Sequence, residues 1–255
     1  MSRHDMKKWA RQELIVAFNL YCQLPFGKIH SRNPIIMEVA KQLNRTPSSL
    51  AMKMLNFASL DPMIINSGRH GLGNASNADR VVWQEFHQDW ERLALESQLF
   101  LKTAKIITPK ELQKIAPADF SGGTKESVVQ VRLKQSFFRQ TILSSYQGRC
   151  CMTGLADQRL LVASHIVPWS KDKANRLNPS NGLCLSALHD KAFDQGLITV
   201  LPDWKIKVSK YLYETKNEFC RMALVSLGEK RIELPEKFLP TEEFLAYHNK
   251  NIFLS

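Results

Sequence analysis

The segment from residue 146 to residue 200 constrains the fold most, because short apolar runs separated by turn residues replace helical periodicity there. A strand is predicted to end at the turn of Thr153 and Gly154, and a second strand to lie at 160–162. A helix is predicted to follow at about 186–193. The predicted order is therefore strand, strand, helix, and a helix over 129–146 precedes it.

The first part of the chain shows helical patterns. Residues 11–24 place apolar side chains at helical spacing, and Pro25 stops the run. Asn33 and Thr46 each precede a proline, which is the pattern of an N-cap followed by the first helical position. Two further helices are therefore predicted to begin directly after these two residues.

A two-domain organisation is predicted for this chain of 255 residues. Residues 66–79 are rich in Gly, Asn and Ser, which predicts a loop. A helix is predicted at 81–101, where three aromatic residues recur at helical spacing and are expected to pack in the core, namely Trp83, Phe86 and Trp90. Residues 102–125 are interpreted as a connection with one short helix near 109–115, so the predicted domains are 1–125 and 126–255.

The two capped helices around residues 35–57 form the pattern of a helix-turn-helix, whose second helix can enter the major groove of DNA. Five residues are expected to contact DNA: Arg45 and the forward face of the second helix, Ser48, Ser49, Met52 and Lys53. The alternative is a pair of helices that simply packs within a helical bundle.

Composition favours a polyanionic partner. The chain has 35 Lys and Arg against 24 Asp and Glu, a formal net charge of +11, which favours nucleic acid before an anionic membrane. No apolar run approaches the roughly 18 residues of a membrane span, and the first residues lack the apolar stretch of a signal peptide, so a cytoplasmic location is expected. The five cysteines form no C-x-x-C pair and are expected to fill the core instead of binding zinc.

Four strings in the second half resemble the HNH endonuclease superfamily, in particular its subfamily of restriction and phage-defence nucleases. They are C-x-T-G at 151–154, A-S-H-I-x-P-W at 163–169, N-G-L-x-L at 181–185 and H-D-x-A-F-D-x-G at 189–196. The string R-x-x-Q-x-x-F-R at 132–139 is similar to the helix that precedes the motif in that subfamily. The resemblance implies an α+β chain, in which a ββα-metal nuclease domain follows the helical domain and hydrolyses phosphodiester bonds of DNA.

Three residues of these strings are expected to carry the chemistry. His165 is the candidate base, because an imidazole with a pKa near 6.5 can take a proton from water near neutral pH. Asn181 can both donate and accept hydrogen bonds, so it is expected to tie a loop to a strand and to orient the imidazole through a backbone carbonyl. The string N-P-S-N-G also suits an N-cap or turn role for Asn181, and both roles can hold together. The resemblance makes His189 a metal ligand, where a divalent ion would offset charge on the scissile phosphate.

The metal ligands are only partly assigned by the sequence. Mg²⁺ is the expected ion, with Mn²⁺ or another divalent ion as the alternative. Many members of the family have Asp or His directly before the base, but this chain has Ser164 there. Asp190 and Asp194 are near in sequence, yet on a helix they point about 100° and 140° away from His189. Asp194 is interpreted as a structural cap at Gly196, and phosphate oxygens and water would complete the coordination.

Other basic residues are expected near the substrate. Arg176, in the loop between the base and Asn181, is expected to hold a phosphate. Residues 198–214 alternate as two strands about a Pro-Asp turn, and their lysines, Lys205, Lys207 and Lys210, either add phosphate contacts or form a solvated face.

The expected partner is double-stranded DNA, bound by a monomer or a homodimer. Two other hypotheses stay open at this point. One is a helix-turn-helix regulator with an inactive nuclease platform. The other is a nuclease specific for RNA or for nucleic-acid structure, because a ββα site contacts the backbone and carries little sequence information.

Overall fold

The computed structural model describes residues 8–69, 71–103 and 125–255. The chain divides into two compact units, Met1–Ser136 and Phe137–Ser255. The short helix predicted near 109–115 lies outside the described residues. The domain boundary predicted near 125 coincides with the first residue of a helix that continues to Ser145. The predicted division stays a prediction.

The described part of the first unit is helical. Its helices are α1 (Arg11–Gln23), α2 (Pro34–Gln42), α3 (Pro47–Ala58), α4 (Pro62–Asn66), α5 (Asn77–Gln88), α6 (Trp90–Thr103) and the first residues of α7 (Lys125–Ser145). The two predicted N-caps are confirmed: Asn33 Oδ1 accepts a hydrogen bond from Ile35 N at 2.9 Å, and Thr46 Oγ1 accepts one from Ser49 N at 3.2 Å. Each satisfies a backbone donor that the first turn of a helix leaves without a partner.

α1 lies at the centre of this unit, in contact with α3, α5 and α6. Its Phe18 is fully buried, and the ring centroids of Phe57, Trp83 and Trp90 lie 4.9, 5.3 and 6.0 Å away. The predicted packing of the aromatic residues in the core is therefore confirmed. The single helix predicted at 81–101 is instead two helices, because Asp89 leaves the helical conformation and its carboxylate accepts a hydrogen bond from Arg92 N at 2.9 Å.

Two of the residues expected to contact DNA, Arg45 before α3 and Lys53 within it, form ion pairs inside the unit. Lys53 is only 7% exposed, and its Nζ lies 3.0 Å from both carboxylate oxygens of the fully buried Asp79. Arg45 donates to Glu13 Oε2 at 2.8 Å, and its guanidinium lies 4.5 Å from the ring centroid of Trp9. Both charges are therefore engaged inside the unit, and a contact of Arg45 or Lys53 with DNA stays a prediction.

The other residues of the forward face predicted for α3 lie nearer the surface. Ser48 and Met52 are exposed, and Ser49 is half-buried. α3 packs against α1 and α2, as a pair of helices in a bundle does. A role for these three residues in DNA binding, and with it the helix-turn-helix hypothesis, stays a prediction.

The second unit is built around a β-hairpin followed by a helix. Strand β1 (Leu161–His165) pairs antiparallel with β2 (Gly182–Ser186), and α8 (Ala187–Asp194) follows β2 directly. The ββα order is as predicted, but the strand expected before Gly154 is a turn, in which Gly154 has a φ of 73° and Cys150 N bonds to Leu155 O. The second strand therefore lies after the long loop, beginning at Gly182.

α7 covers this hairpin at Gly182, where a side chain would have no room. A Cβ there would lie 2.4 Å from Ile142 Cδ1 and 2.9 Å from the tip of Phe138. The remaining elements are β3 (Ile198–Val200), β4 (Ile206–Val208), α9 (Lys210–Tyr213), α10 (Glu218–Ala223) and α11 (Glu242–Asn251). The two strands predicted at 198–214 are present but short, and α9 replaces the end of the second.

The cysteines are free thiols, and four of them are buried as expected: Cys22, Cys150, Cys151 and Cys184. Cys220 is half-buried. Among the described residues there is no helix whose length and apolar character would suit a membrane span.

We expect Lys53→Ala to destabilise the first unit, because it leaves Asp79 as an unpaired buried carboxylate. Breaking a buried pair in this way costs about 3–5 kcal/mol of unfolding free energy. Met52→Ala, one residue earlier and half exposed, is the control and should cost less than about 0.5 kcal/mol. Urea unfolding followed by tryptophan fluorescence measures both. A Lys53→Ala variant of native stability that binds DNA more weakly would support Lys53 as a DNA contact.

Candidate active site

His165 is the last residue of β1, and two aromatic side chains hold its ring. The ring stacks on Phe138 of α7, with centroids 4.0 Å apart and planes 7° from parallel. Trp169, four residues further along, meets it edge-on at 5.5 Å. These two ring contacts therefore restrict rotation of the imidazole.

A backbone carbonyl selects the tautomer of His165. Nε2 lies 2.9 Å from the carbonyl oxygen of Arg176, and a carbonyl can only accept, so Nε2 carries the proton. In the neutral ring Nδ1 then retains its lone pair. Burial lowers the pKa of His165; the Arg176 carbonyl acts to raise it, and the positive charge of Arg176 acts to lower it. The ring is therefore neutral at pH 7, with one nitrogen able to accept a proton.

Asn181 fixes the loop that supplies this carbonyl. Its Oδ1 accepts from Val167 N at 2.8 Å, and its Nδ2 donates to the carbonyl oxygens of Val167 and Asn175, each at 3.2 Å. The side chain is 1% exposed. Asn175 directly precedes Arg176, so the amide ties the start of the loop to the residue next to the carbonyl that contacts His165.

Arg176 is itself tied into the loop. Its Nε donates to Trp169 O at 2.7 Å, and its guanidinium carbon lies 5.0 Å from the centroid of the Trp169 ring. The side chain is half-buried beside His165. Contact with a substrate phosphate, expected from the sequence, stays a prediction for the remaining guanidinium nitrogens.

His189, on α8, is turned into the unit. It is 6% exposed; Nδ1 lies 2.6 Å from Ser186 Oγ, and Nε2 donates to the carbonyl oxygen of Ala223 at 3.0 Å. Burial acts to lower the pKa of His189, but contact with the Cys150 thiol and the Ala223 carbonyl outweighs burial and raises it. Both ring nitrogens thus have protein partners, an arrangement that holds α8 in place and does not favour a metal bond.

Asp190, the next residue, is directed towards β1 instead. The hydroxyl of Ser164 is buried and makes no well-formed hydrogen bond, and it faces the Asp190 carboxyl closely enough to lower that group's pKa. Burial has the larger, opposite effect, so the pKa of Asp190 is raised. Burial and the charge of Asp190 also raise the pKa of Asp194. A carboxylate therefore lies beside the residue that directly precedes His165.

These residues fit a divalent cation only in part. Within the described ranges, no group of three or more His, Cys, Asp and Glu side chains is arranged to hold a metal ion. Asp190 and Asp194 are oxygen donors of the kind that Mg²⁺ prefers, and Mg²⁺ usually keeps several waters and binds few carboxylates. The protein thus offers one or two oxygen ligands, and the substrate phosphate and water would have to supply the others.

Two residues that support the site belong to the string at 132–139, yet their roles were not predicted. Phe138 stacks on His165, and Arg139 donates from Nη1 to Leu161 O at 2.8 Å, which holds the first residue of β1. The resemblance of this string to the helix before the motif was the sequence signal that could have identified both residues.

Cys150 is another residue near the site whose role was not predicted. Its thiol contacts His189. This contact and other hydrogen bonds outweigh burial and lower the pKa of the Cys150 thiol to about 7.

Comparison with known families agrees with this geometry. Residues 150–201 match the family model HNH_2, described as HNH endonuclease. The matched segment contains β1, β2 and α8, and with them His165, Asn181, His189 and Asp190. The resemblance to the HNH endonuclease superfamily is therefore confirmed for this segment. No curated protein matches the chain.

We expect the pKa of His165 to lie below 6.5, and Phe138→Leu to raise it, because loss of the stacked ring admits water. NMR titration of the histidine ring signals measures both values. Phe137→Leu is the matched control: Phe137 is equally buried on the same helix and should leave the His165 pKa unchanged. A native pKa at or above 6.5 would contradict the burial argument.

Proposed function

We propose that the chain is a divalent-metal-dependent DNA endonuclease in which His165 is the general base. The single observation that carries the proposal is the contact of His165 Nε2 with the Arg176 carbonyl, because it leaves Nδ1 free to accept a proton in a segment that matches HNH endonucleases. The match at 150–201 supports nuclease activity. The DNA substrate, the metal ion and the defence role are proposals that the motif resemblance and the net charge of +11 support.

In this proposal Nδ1 of His165 takes a proton from the water that attacks the phosphorus. The lowered pKa keeps the base unprotonated at neutral pH. Asn181 acts as a positioning residue, since it holds the loop whose carbonyl orients the imidazole. The remaining guanidinium nitrogens of Arg176 bind a phosphate oxygen. A bound divalent ion would supply positive charge to the phosphate and the leaving oxygen.

Two neighbouring residues of α8 compete for the role of metal ligand. The sequence favoured His189, but both of its nitrogens have protein partners. Asp190 faces Ser164, at the position where many members of the family carry a ligand before the base. We therefore propose Asp190 as the principal protein ligand and give His189 the task of anchoring α8 to Ala223.

His165→Ala should slow cleavage by roughly 10²- to 10⁴-fold, the usual contribution of a general base. Cleavage of labelled DNA in Mg²⁺ and in Mn²⁺ measures the rate, and a thermal melt checks the fold. His30→Ala, at an exposed position of the first unit, is the control and should cut at the native rate. Near-native cleavage by His165→Ala would remove His165 as the base.

Asp190→Asn should weaken metal binding, so that calorimetric titration with Mn²⁺ gives a lower affinity and cleavage needs more metal. His189→Ala should instead lower the melting temperature, because it removes the bonds to Ser186 and Ala223, while the Mn²⁺ affinity stays near native. Asp203→Asn, in an exposed turn, is the control. The reverse result, with His189→Ala losing Mn²⁺ affinity and Asp190→Asn keeping it, would return the ligand to His189.

The substrate class is tested by incubating the native chain with modified and unmodified duplex DNA, single-stranded DNA and RNA, each in Mg²⁺, Mn²⁺ and EDTA. Mapping of the product ends then shows where cleavage occurs. Cleavage of DNA that EDTA abolishes supports the proposal. Binding to DNA without cleavage in any metal would favour the regulator hypothesis, and cleavage of RNA alone would reassign the substrate.

A further inference from the structure

Four large apolar side chains on α9 and α10 are more than half exposed. They are Tyr211 (57%), Tyr213 (58%), Phe219 (64%) and Met222 (65%). A single exposed apolar residue is ordinary, whereas a group of them on neighbouring elements marks an interaction surface. We call these four residues, with the exposed cations Lys210, Lys216 and Arg221, the aromatic-basic surface.

Local packing explains why the four side chains are exposed. α9 buries Leu212, and the residues on either side of it, Tyr211 and Tyr213, stay more than half exposed. α10 buries none of its own residues, and its Phe219 and Met222 lie three positions apart, on one face of a helix. Anchoring comes instead from the residues that follow, since Leu224 and Leu227 are buried.

The charge of this region identifies the kind of partner. Residues 205–222 carry five Lys and Arg against two Glu, a net charge of +3. The ammonium group of Lys210 lies 5.6 Å from the centre of the Tyr211 ring. Rings interleaved with cations are suited to a strand with flat bases and a charged backbone, because rings stack on bases and cations bind phosphates. A second copy of this basic segment would instead meet like charge.

This surface is connected to the candidate active site by one hydrogen bond. Ala223, the residue after Met222, accepts the hydrogen bond from His189 Nε2 at 3.0 Å. α10 is therefore fixed to α8, the helix of the HNH motif. The surface therefore lies on a helix that contacts the HNH motif directly.

We propose that the aromatic-basic surface binds unpaired bases of the DNA strand beside the cleaved phosphate, so that DNA with a single-stranded stretch is the preferred substrate. In a duplex the faces of the bases are stacked on one another and are closed to these rings. The inference rests on the proposed nuclease function, which it deepens by naming the form of DNA.

Binding is measured in EDTA, by fluorescence anisotropy, on a labelled single strand and on its duplex. Tyr211→Ala and Phe219→Ala should each weaken single-strand binding by about tenfold, because each removes one ring that stacks on a base. Both should leave duplex binding within about twofold. Tyr211→Phe retains the ring and should keep native affinity. Because none of the replaced side chains is buried, thermal melts should match the native chain.

Lys210→Ala combined with Arg221→Ala is the charge control. It should weaken binding to both forms and reduce the salt dependence by roughly one unit of slope per lost phosphate contact. No loss from the ring variants, or an equal loss on duplex and single strand, would overturn the inference. So would sedimentation showing that the native chain is a dimer and Phe219→Ala a monomer. Failure of the proposed nuclease function would give a different result from failure of this inference. In that case the rings would still bind the single strand, but the native chain would cut no DNA in any metal.

Discussion

The buried amide of Asn181 is the interaction on which the candidate site depends. It ties together the loop between β1 and β2 by bonding to Val167 near its start and to Asn175 near its middle. Without this amide, the backbone groups of the buried Val167 would lose their partners, which makes these bonds costly to lose. The loop in turn places the Arg176 carbonyl against His165. Asn181 therefore sets the tautomer of the base through the loop, without contacting the imidazole itself.

The second constraint is the geometry of α8, which directs the consecutive residues His189 and Asp190 towards different partners. Adjacent positions on a helix differ by about 100° in direction, so His189 and Asp190 cannot serve the same partner. The structure directs His189 towards Ser186 and Ala223 and directs Asp190 towards Ser164. The anchored imidazole keeps the helix in register with the hairpin, and the carboxylate lies next to the strand that carries the base.

Local features were predictable from the sequence, and contacts between distant residues were not. The N-caps at Asn33 and Thr46 and the helix after Ser186 depend on neighbouring residues and were predicted. The burial of Lys53 depends on Asp79, which is 26 residues away in the sequence. The helical pattern of α3 alone therefore places Lys53 on the exposed face. Phe138 likewise belongs to a recognised string, but its contact with His165 arises only when α7 packs on the hairpin at Gly182.

The tautomer of His165 decides whether this residue can act as the proposed base, because only a free Nδ1 can accept the proton. Long-range proton–nitrogen NMR correlation on the full chain at pH 7 reports which ring nitrogen carries the proton. We expect a neutral ring protonated at Nε2 in the native chain. In Asn181→Ala, where the loop loses its hydrogen bonds to this side chain, we expect a mixture of tautomers. A proton on Nδ1 in the native chain, or a fixed Nε2 proton that persists in Asn181→Ala, would contradict these expectations.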